Sequence, residues 1–165
     1  MAIQRIGAEY DRRARDLTDL LARYALRIVH LPDGAAIAGS YWGEPEAGLQ
    51  AGVLFVRADT PMHSALHEAS HYVCMSAARR VRFDTDAGGD DHEECAVCYL
   101  SVLLAEALPG YDRAAMFTDM DAWGYSFRLA SARAWFERDA VDARDWLRSR
   151  DLINGEDRPT WRLVR

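Results

Sequence analysis

The chain has few cysteines and lacks a long apolar run. No stretch approaches the roughly 20 consecutive apolar residues that a membrane-spanning helix needs, so we expect no membrane partner. The three cysteines, Cys74, Cys95 and Cys98, form a sparse and odd-numbered set, unlike the disulfide framework of a small secreted protein. The N-terminal segment carries charges every few residues and has no apolar core of the kind found in secretory signals. These absences together predict a cytoplasmic protein.

Lysine is absent, and positive charge is outnumbered. All 20 basic residues are arginine, against 26 Asp and Glu, which leaves a formal net charge of −6. A nucleic-acid-binding protein normally carries a basic surface stripe, so we expect no nucleic-acid partner. Hydrophobic residues make up 50% of the 165 positions, which is typical of a globular chain. The length suits a single domain over residues 1–165.

Hydrophobic periodicity and turn residues predict an α+β fold in which helices predominate and the β-sheet is short. Thr60 and Pro61 are residue types that favour a helix N-cap and first turn. A turn-rich loop over residues 84–91 should precede the next helix. The predicted helices cover residues 8–29, 61–80, 92–108 and 122–147, the predicted strands cover residues 35–42 and 52–58, and a polar tail over residues 149–165 should lie against the surface.

The most informative segment is His67-Glu68-Ala69-Ser70-His71, an H-E-x-x-H pattern inside the second predicted helix. Residues four apart in a helix project from the same face, so both imidazoles can reach one ion. Neutral imidazole is a good zinc ligand, and the intervening glutamate can take a proton from water that zinc has made acidic. The pattern therefore predicts zinc ligands at His67 and His71 and a catalytic base at Glu68. The alternative is a solvated helix face without a metal.

A catalytic zinc site usually takes three protein ligands, so another must be found. The extended pattern H-E-x-x-H-x-x-G-x-x-H is excluded, because Cys74 and Ala77 stand where its glycine and third histidine belong. An acidic residue from the next helix is the remaining option. The candidates are Asp90, Asp91, Glu93 and Glu94.

Helical phase separates the two glutamates. Glu93 shares a face with an apolar stripe that should pack inward, whereas Glu94 lies on a less apolar face. A ligand has to point at the neighbouring helix, so the sequence predicts Glu93 as the third zinc ligand. The alternative for this acidic cluster is a charged first turn that complements the helix dipole, which is sufficient for Asp90, Asp91 and Glu94.

These two helices resemble the small gluzincin metallopeptidases, a group that includes the ImmA/IrrE-like proteases that cleave phage-type repressors. In that group the H-E-x-x-H helix supplies two histidine ligands and the catalytic glutamate, and a later helix, often of the form E-x-x-A-x-x-aromatic, supplies the third ligand. Here H-E-A-S-H is followed by Glu93, Ala96 and Tyr99 at the matching spacing. The resemblance covers residues 53–108. It implies a zincin-like core with zinc held by the two histidines and Glu93.

Two further histidines and a cysteine pair lie near these motifs. His63 stands one helical turn before the first zinc ligand and could border the site, although an exposed histidine is the simpler expectation. His92 adjoins the acidic cluster and could compete as a ligand. Cys95 and Cys98 form a C-x-x-C pattern, but the chain has no second pair and no thioredoxin-like setting. Two small core residues are therefore the expected interpretation.

The segment around Tyr125 and Arg128 is rich in aromatic residues. Either side chain could stabilise an oxyanion, but aromatic packing is the better-supported explanation of the composition. We therefore leave both residues outside the predicted site.

Three functions fit these features. The first is a zinc hydrolase, most simply a metallopeptidase acting on a peptide or protein, in which Glu68 activates water and the strand over residues 52–58 holds the substrate by edge pairing. The second is a zinc-binding regulatory or structural module without turnover. The third is a metal-free helical protein whose aromatic residues form a partner surface. Metal content separates the third function from the others, and a change at Glu68 separates the first from the second.

Overall fold

The computed structural model describes residues 2–40, 43, 45–82 and 89–165 of the chain. Within these residues the fold is α+β and predominantly helical, which confirms the predicted fold class. None of the described helices is long and apolar enough to cross a membrane. The elements in chain order are α1 (Arg12–Ala22), β1 (Arg27–His30), β2 (Gly48–Gln50), β3 (Val53–Val56), α2 (Met62–Cys74), α3 (Ala77–Arg82), α4 (Asp91–Ala105), α5 (Arg113–Trp123), α6 (Ala132–Arg138) and α7 (Val141–Arg148).

The described strands form one small sheet with the order β1-β3-β2. β1 runs parallel to β3 and pairs Ile28 with Leu54, whereas β2 runs antiparallel and pairs Leu49 with the same leucine. The strand predicted over residues 52–58 is confirmed as β3. Its predicted role in holding a substrate by edge pairing is wrong, because β1 and β2 occupy both of its edges.

Two predictions in the N-terminal part are wrong. The helix predicted over residues 8–29 ends at Ala22, and the chain turns at Ala25, which has a φ of 55°. The β-branched residues Ile28 and Val29 then belong to β1, since such side chains pack well in strands. The strand predicted over residues 35–42 is not found at residues 35–40, which are turns and irregular backbone, and residues 41 and 42 lie outside the described part of the chain.

Residues 38–40 instead pass very close to β2, a strand that the sequence did not predict. A Cβ atom on Gly48 would lie 1.9 Å from the carbonyl oxygen of Ala38, and one on Gly39 would lie 2.5 Å from the carbonyl oxygen of Leu49. Glycine at these two positions therefore allows backbone to pack directly on backbone.

The helix predicted over residues 61–80 is divided into α2 and α3. α2 ends at Cys74 because Met75 adopts an extended conformation. The hydroxyl group of Ser76 then accepts a hydrogen bond from the backbone N–H of Arg79, as an N-cap serine does at the start of a helix. The break reorients the chain, so that α3 does not continue along the axis of α2.

The start of α2 also differs from the prediction by one residue. Pro61 is the residue before the helix, and Thr60 does not cap it. The Thr60 hydroxyl instead accepts a hydrogen bond from the backbone N–H of Arg57, within the turn that joins β3 to α2.

The helix predicted over residues 122–147 is divided as well. α5 ends at Trp123, and the next residue, Gly124, adopts the left-handed conformation with a φ of 100°, as glycine commonly does after a helix. The hydroxyl of Ser131 accepts a hydrogen bond from the N–H of Ala134 and so begins α6. The reversal at Gly124 carries Tyr125 towards α2, where its ring contacts His67.

α4 is the central helix and confirms the helix predicted over residues 92–108. It packs mainly against α2 and α7, and Tyr99 on α4 stacks on Phe136 of α6, with ring centroids 4.4 Å apart. Phe127 stacks on the buried Trp135. The aromatic residues of this region therefore pack against one another, which favours aromatic packing over a partner surface. The loop predicted before α4 falls largely on residues 83–88, outside the described residues.

The tail over residues 149–165 contains no helix and no strand of the sheet, but it does more than follow the surface. Leu152 and Ile153 are buried in the core. The N–H of Val164 donates a hydrogen bond of 3.1 Å to the carbonyl oxygen of Val73. The tail therefore covers the C-terminal end of α2, the helix that carries the H-E-x-x-H pattern.

Candidate metal centre

His67 and His71 lie one turn apart on α2, and their ring nitrogens converge. The two Nε2 atoms are 3.1 Å apart, and the rings are nearly perpendicular, at 87°. The side chains are only 14% and 10% exposed. The helix face that carries these two histidines is therefore not solvated, contrary to that part of the alternative.

Glu94 on α4 faces both imidazoles across the contact between the two helices. Its Oε1 atom lies 3.3 Å from Nε2 of His67, and its Oε2 atom lies 3.3 Å from Nε2 of His71. The Glu94 side chain is 51% exposed, so this group of three residues lies at the edge of the core and remains open to solvent on one side.

The structure does not bring Glu93 to the histidines. Both of its carboxylate oxygens accept hydrogen bonds from Arg79 on α3, at 2.8 and 2.9 Å. Glu93 does point inward, as the helical phase predicted, with its side chain 12% exposed. The prediction that it lies beside the histidines is wrong because the inward direction leads to an arginine that the break at Met75 makes available.

The positions of these donor atoms fit a zinc ion. In a tetrahedral site with metal–ligand distances of about 2.0–2.1 Å, neighbouring nitrogen and oxygen donors lie about 3.3 Å apart. Nε2 of His67 and Nε2 of His71 are 3.1 Å apart, and each lies 3.3 Å from a different oxygen of the Glu94 carboxylate, Oε1 and Oε2 respectively. Two imidazoles and one carboxylate are also a common donor set for catalytic zinc.

Electrostatics link these three side chains. Burial opposes ionisation of Glu94, but the hydrogen bond with His67 and the charges of both histidines bring its pKa down to about 2. Burial likewise opposes protonation of His67, but Tyr125, Cys98 and Glu94 raise its pKa well above the ordinary value. A metal ion bound here would have to displace this proton, because metals bind neutral imidazole.

Glu68 lies beside the histidine pair. One of its carboxylate oxygens lies within 4.8 Å of a ring nitrogen of each histidine. Burial raises the pKa of Glu68 to about 7, with smaller contributions from the acidic neighbours Glu94 and Glu46, while the charge of His67 opposes the shift. Glu68 is therefore near the candidate ligands and is poised to exchange a proton near neutral pH.

Trp123, at the end of α5, and Tyr125, in the segment after it, form one side of the site, which we call the aromatic wall. The ring of Tyr125 meets the ring of His67 edge-on, with centroids 5.7 Å apart. Trp123 donates a hydrogen bond of 3.0 Å from its indole N–H to Glu46. Burial raises the pKa of Tyr125, so its phenol keeps its proton at neutral pH and remains a hydrogen-bond donor.

His63 is fully buried one turn before His67, and the expectation that it is exposed is wrong. Its ring packs against Trp123 and Tyr125, with centroids 5.2 and 5.6 Å away. Burial, followed by the charges of His67 and Arg5, lowers its pKa to about 3. His63 is therefore neutral, and its ring packs against the ring of Tyr125.

The segment that precedes β2 is attached to the helix of the site. The backbone N–H of Ala47 donates a hydrogen bond of 3.0 Å to the hydroxyl of Ser64, in a buried contact. Ser64 lies one residue after His63 on α2. This contact fixes Glu46, one residue earlier in the chain, on the same side of α2 as the aromatic wall.

The other predicted or considered residues lie away from the histidine pair. His92 and Asp91 are exposed, and Asp90 caps α4 by accepting a hydrogen bond from the N–H of Glu93. Arg128 is exposed and forms an ion pair with Asp139 at 2.9 Å. Within the described residues, none of these side chains belongs to a group that could hold a metal ion.

The two cysteines of the C-x-x-C pattern both lie on α4 but differ in exposure. Cys95 is exposed, while Cys98 is buried and lies near His67 and Glu94. From the sequence alone, Cys98 is expected to be only a small core residue. The spacing Glu94 to Cys98, four residues apart on α4, is the signal that places both on one face.

The chain was compared with known proteins at three levels. It matches no protein-family model, no curated protein sequence and no solved structure.

Proposed function

We propose that this chain is a zinc-dependent hydrolase with a zincin-like core, and that its substrate is a peptide or protein. The observation that supports this proposal is the convergence of His67, His71 and Glu94 at separations of 3.1 to 3.3 Å, with Glu68 beside them. The first two residues and Glu68 belong to the H-E-x-x-H pattern, and Glu94 replaces Glu93 as the third ligand.

The ligand residues would hold zinc through Nε2 of His67, Nε2 of His71 and the carboxylate of Glu94. In the fold this carboxylate presents Oε1 to His67 and Oε2 to His71, each at 3.3 Å. When bound, zinc supplies a Lewis acid that makes water more acidic and polarises a carbonyl group. The exposed side of Glu94 leaves room for a substrate to approach.

Glu68 is the general base in this proposal. Its half-buried carboxylate, whose pKa burial raises in the metal-free protein, can accept a proton from water and later return it to the leaving amine. Tyr125 is the neighbouring donor, because its protonated hydroxyl belongs to a ring packed against His67. A donor at this position would stabilise negative charge that develops on the substrate carbonyl oxygen.

The choice of a peptide substrate depends on the resemblance to gluzincins. On α4, the residues that match the gluzincin pattern start at Glu93. The glutamate that faces the histidines is the next residue in the chain. The support therefore comes mainly from α2, where the pattern, the helix and the convergence of the imidazoles agree.

A second candidate function is a zinc-binding module without turnover. It is favoured by the position of Cys98, whose sulfur belongs to a group of possible ligands with His67 and Glu94. Structural zinc sites are closed by four protein ligands, whereas catalytic sites keep one position open.

Peptide cleavage by the zinc-loaded chain tests the proposed function. The protein loaded with one equivalent of zinc should cleave members of a peptide library, and a chelator should abolish the activity until zinc is added back. Cleavage products are identified by mass spectrometry, and the chelated protein is the matched control. A zinc-loaded chain that cleaves no peptide or protein in a broad screen would contradict the proposal and favour the module without turnover.

A further inference from the structure

We propose that Cys98 is a fourth zinc ligand, which closes the metal centre of the resting protein and must leave it before substrate is hydrolysed. This inference rests on the proposed zinc site and adds a means of regulating it. The expected ligand of the closed state is the Cys98 thiolate.

The geometry places Cys98 at the edge of the donor group. It lies on α4 one turn after Glu94, and its Sγ atom is 4.0 Å from Oε1 of that glutamate. Ligand atoms of His67, Glu94 and Cys98 all lie within 4.8 Å of one another. Zinc–sulfur bonds of about 2.3 Å place a sulfur donor roughly 3.5 Å from its neighbours in a tetrahedral site. Among the described residues the group that contains Cys98 does not include His71, so the Cys98 side chain would have to move closer to His71 to reach a ligand position.

The other two cysteines show that this placement is specific to Cys98. Cys95, on the same helix, is exposed, and Cys74 is buried near the C-terminal end of α2. Neither belongs to a group of possible metal ligands in the described part of the chain. Cys98 is a free thiol that is 6% exposed, so its sulfur is largely shielded from solvent.

The chemistry of closure is a ligand exchange with no redox step. The Cys98 thiol loses its proton to solvent, and the thiolate takes the coordination position that water would otherwise hold. The reverse step needs one proton and one water molecule. Because a coordinating thiol is deprotonated, zinc binding to the wild-type chain should release one more proton than zinc binding to a chain without this thiol.

Cobalt substitution tests this inference without relying on activity. Cobalt(II) loaded in place of zinc should give the wild-type chain a near-ultraviolet band from thiolate-to-cobalt charge transfer. Cys98→Ser, which keeps the size of the side chain, should lose that band. Cys95→Ser and Cys74→Ser are matched controls, one exposed and one buried, and both should keep it.

A second readout uses the unmodified Cys98 and so does not depend on how a Cys98 variant folds. In a Cys95→Ala chain, stoichiometric zinc should slow alkylation of Cys98 by iodoacetamide at least tenfold relative to the chelated protein. If a peptide substrate is found, Cys98→Ala should cleave it faster than the wild type, because its site is open.

The outcomes separate this inference from the proposed function. One cobalt per chain without the charge-transfer band, or a band that persists in Cys98→Ser, would overturn the role of Cys98 and leave the zinc site standing. A chain that binds neither cobalt nor zinc would overturn both. A band that only the Cys98 change removes, together with zinc protection from alkylation, establishes the fourth ligand.

Discussion

Glu94→Gln is expected to weaken zinc binding by about 100-fold or more, because even partners outside the ligand shell change metal affinity by about 10–100-fold. Glutamine keeps the shape of the side chain but removes the charge that faces the two imidazoles at 3.3 Å. It is also a poorer zinc ligand than carboxylate. The measurement is a competition titration of zinc against a chromophoric chelator, at fixed pH.

Glu93→Gln is the matched control on the adjacent residue. It weakens the paired hydrogen bonds to Arg79, so it should lower the free energy of unfolding by about 1–2 kcal/mol, a discounted value because the arginine is partly exposed. Zinc affinity should change little. A large loss of zinc affinity in Glu93→Gln with none in Glu94→Gln would restore the ligand set that the sequence predicted.

Glu68→Gln is expected to lower the rate of hydrolysis by about 10²–10⁴-fold, the usual contribution of a general base. Glutamine occupies the same space in the half-buried position beside His67 but cannot accept the proton. Zinc content and melting temperature should stay close to those of the wild type, because the ligands are unchanged. The assay is cleavage of the best peptide from the library, with zinc measured in the same samples.

His92→Gln is a suitable control for the Glu68 experiment. His92 is exposed at the start of α4, so this change should alter neither zinc binding nor cleavage. Wild-type cleavage by Glu68→Gln would refute the role of Glu68 as the base. Loss of zinc in that variant would instead show that Glu68 takes part in coordination.

The sequence predicted the residues of α2 that matter most. The i, i+4 spacing of His67 and His71 is a local property of a helix. The prediction that both side chains share one face therefore holds even though the boundaries of the predicted helix were wrong. The same holds for Glu68, whose position relative to the histidines depends only on α2. Local spacing therefore predicted the convergence of the two imidazoles, which are the candidate ligands, and the position of the candidate base, without knowledge of the rest of the fold.

The third residue of the group could not be predicted in the same way. The choice of Glu93 assumed that a ligand faces the apolar interior, but α4 is buried on most sides and its interior face offers several partners. The decisive contact with Arg79 depends on the break at Met75, which involves no proline or glycine. The carboxylate that faces the histidines is instead the half-exposed Glu94.

The aromatic wall was missed for a related reason. Trp123 and Tyr125 lay within one long predicted helix, which would have pointed them in directions fixed by helical phase. The left-handed turn at Gly124 separates them and brings both rings to His63. The glycine was visible in the sequence, but a glycine inside a helical pattern is often tolerated.

Native mass spectrometry of the zinc-treated protein tests the central claim most directly. After exposure to excess zinc and removal of loosely bound metal, the wild-type chain should carry one zinc ion, and a His67→Ala, His71→Ala chain should carry none. The folded state of both chains is checked by circular dichroism. A wild-type chain that retains no zinc, or a double variant that retains it at the same stoichiometry, would contradict the metal centre proposed on α2 and α4.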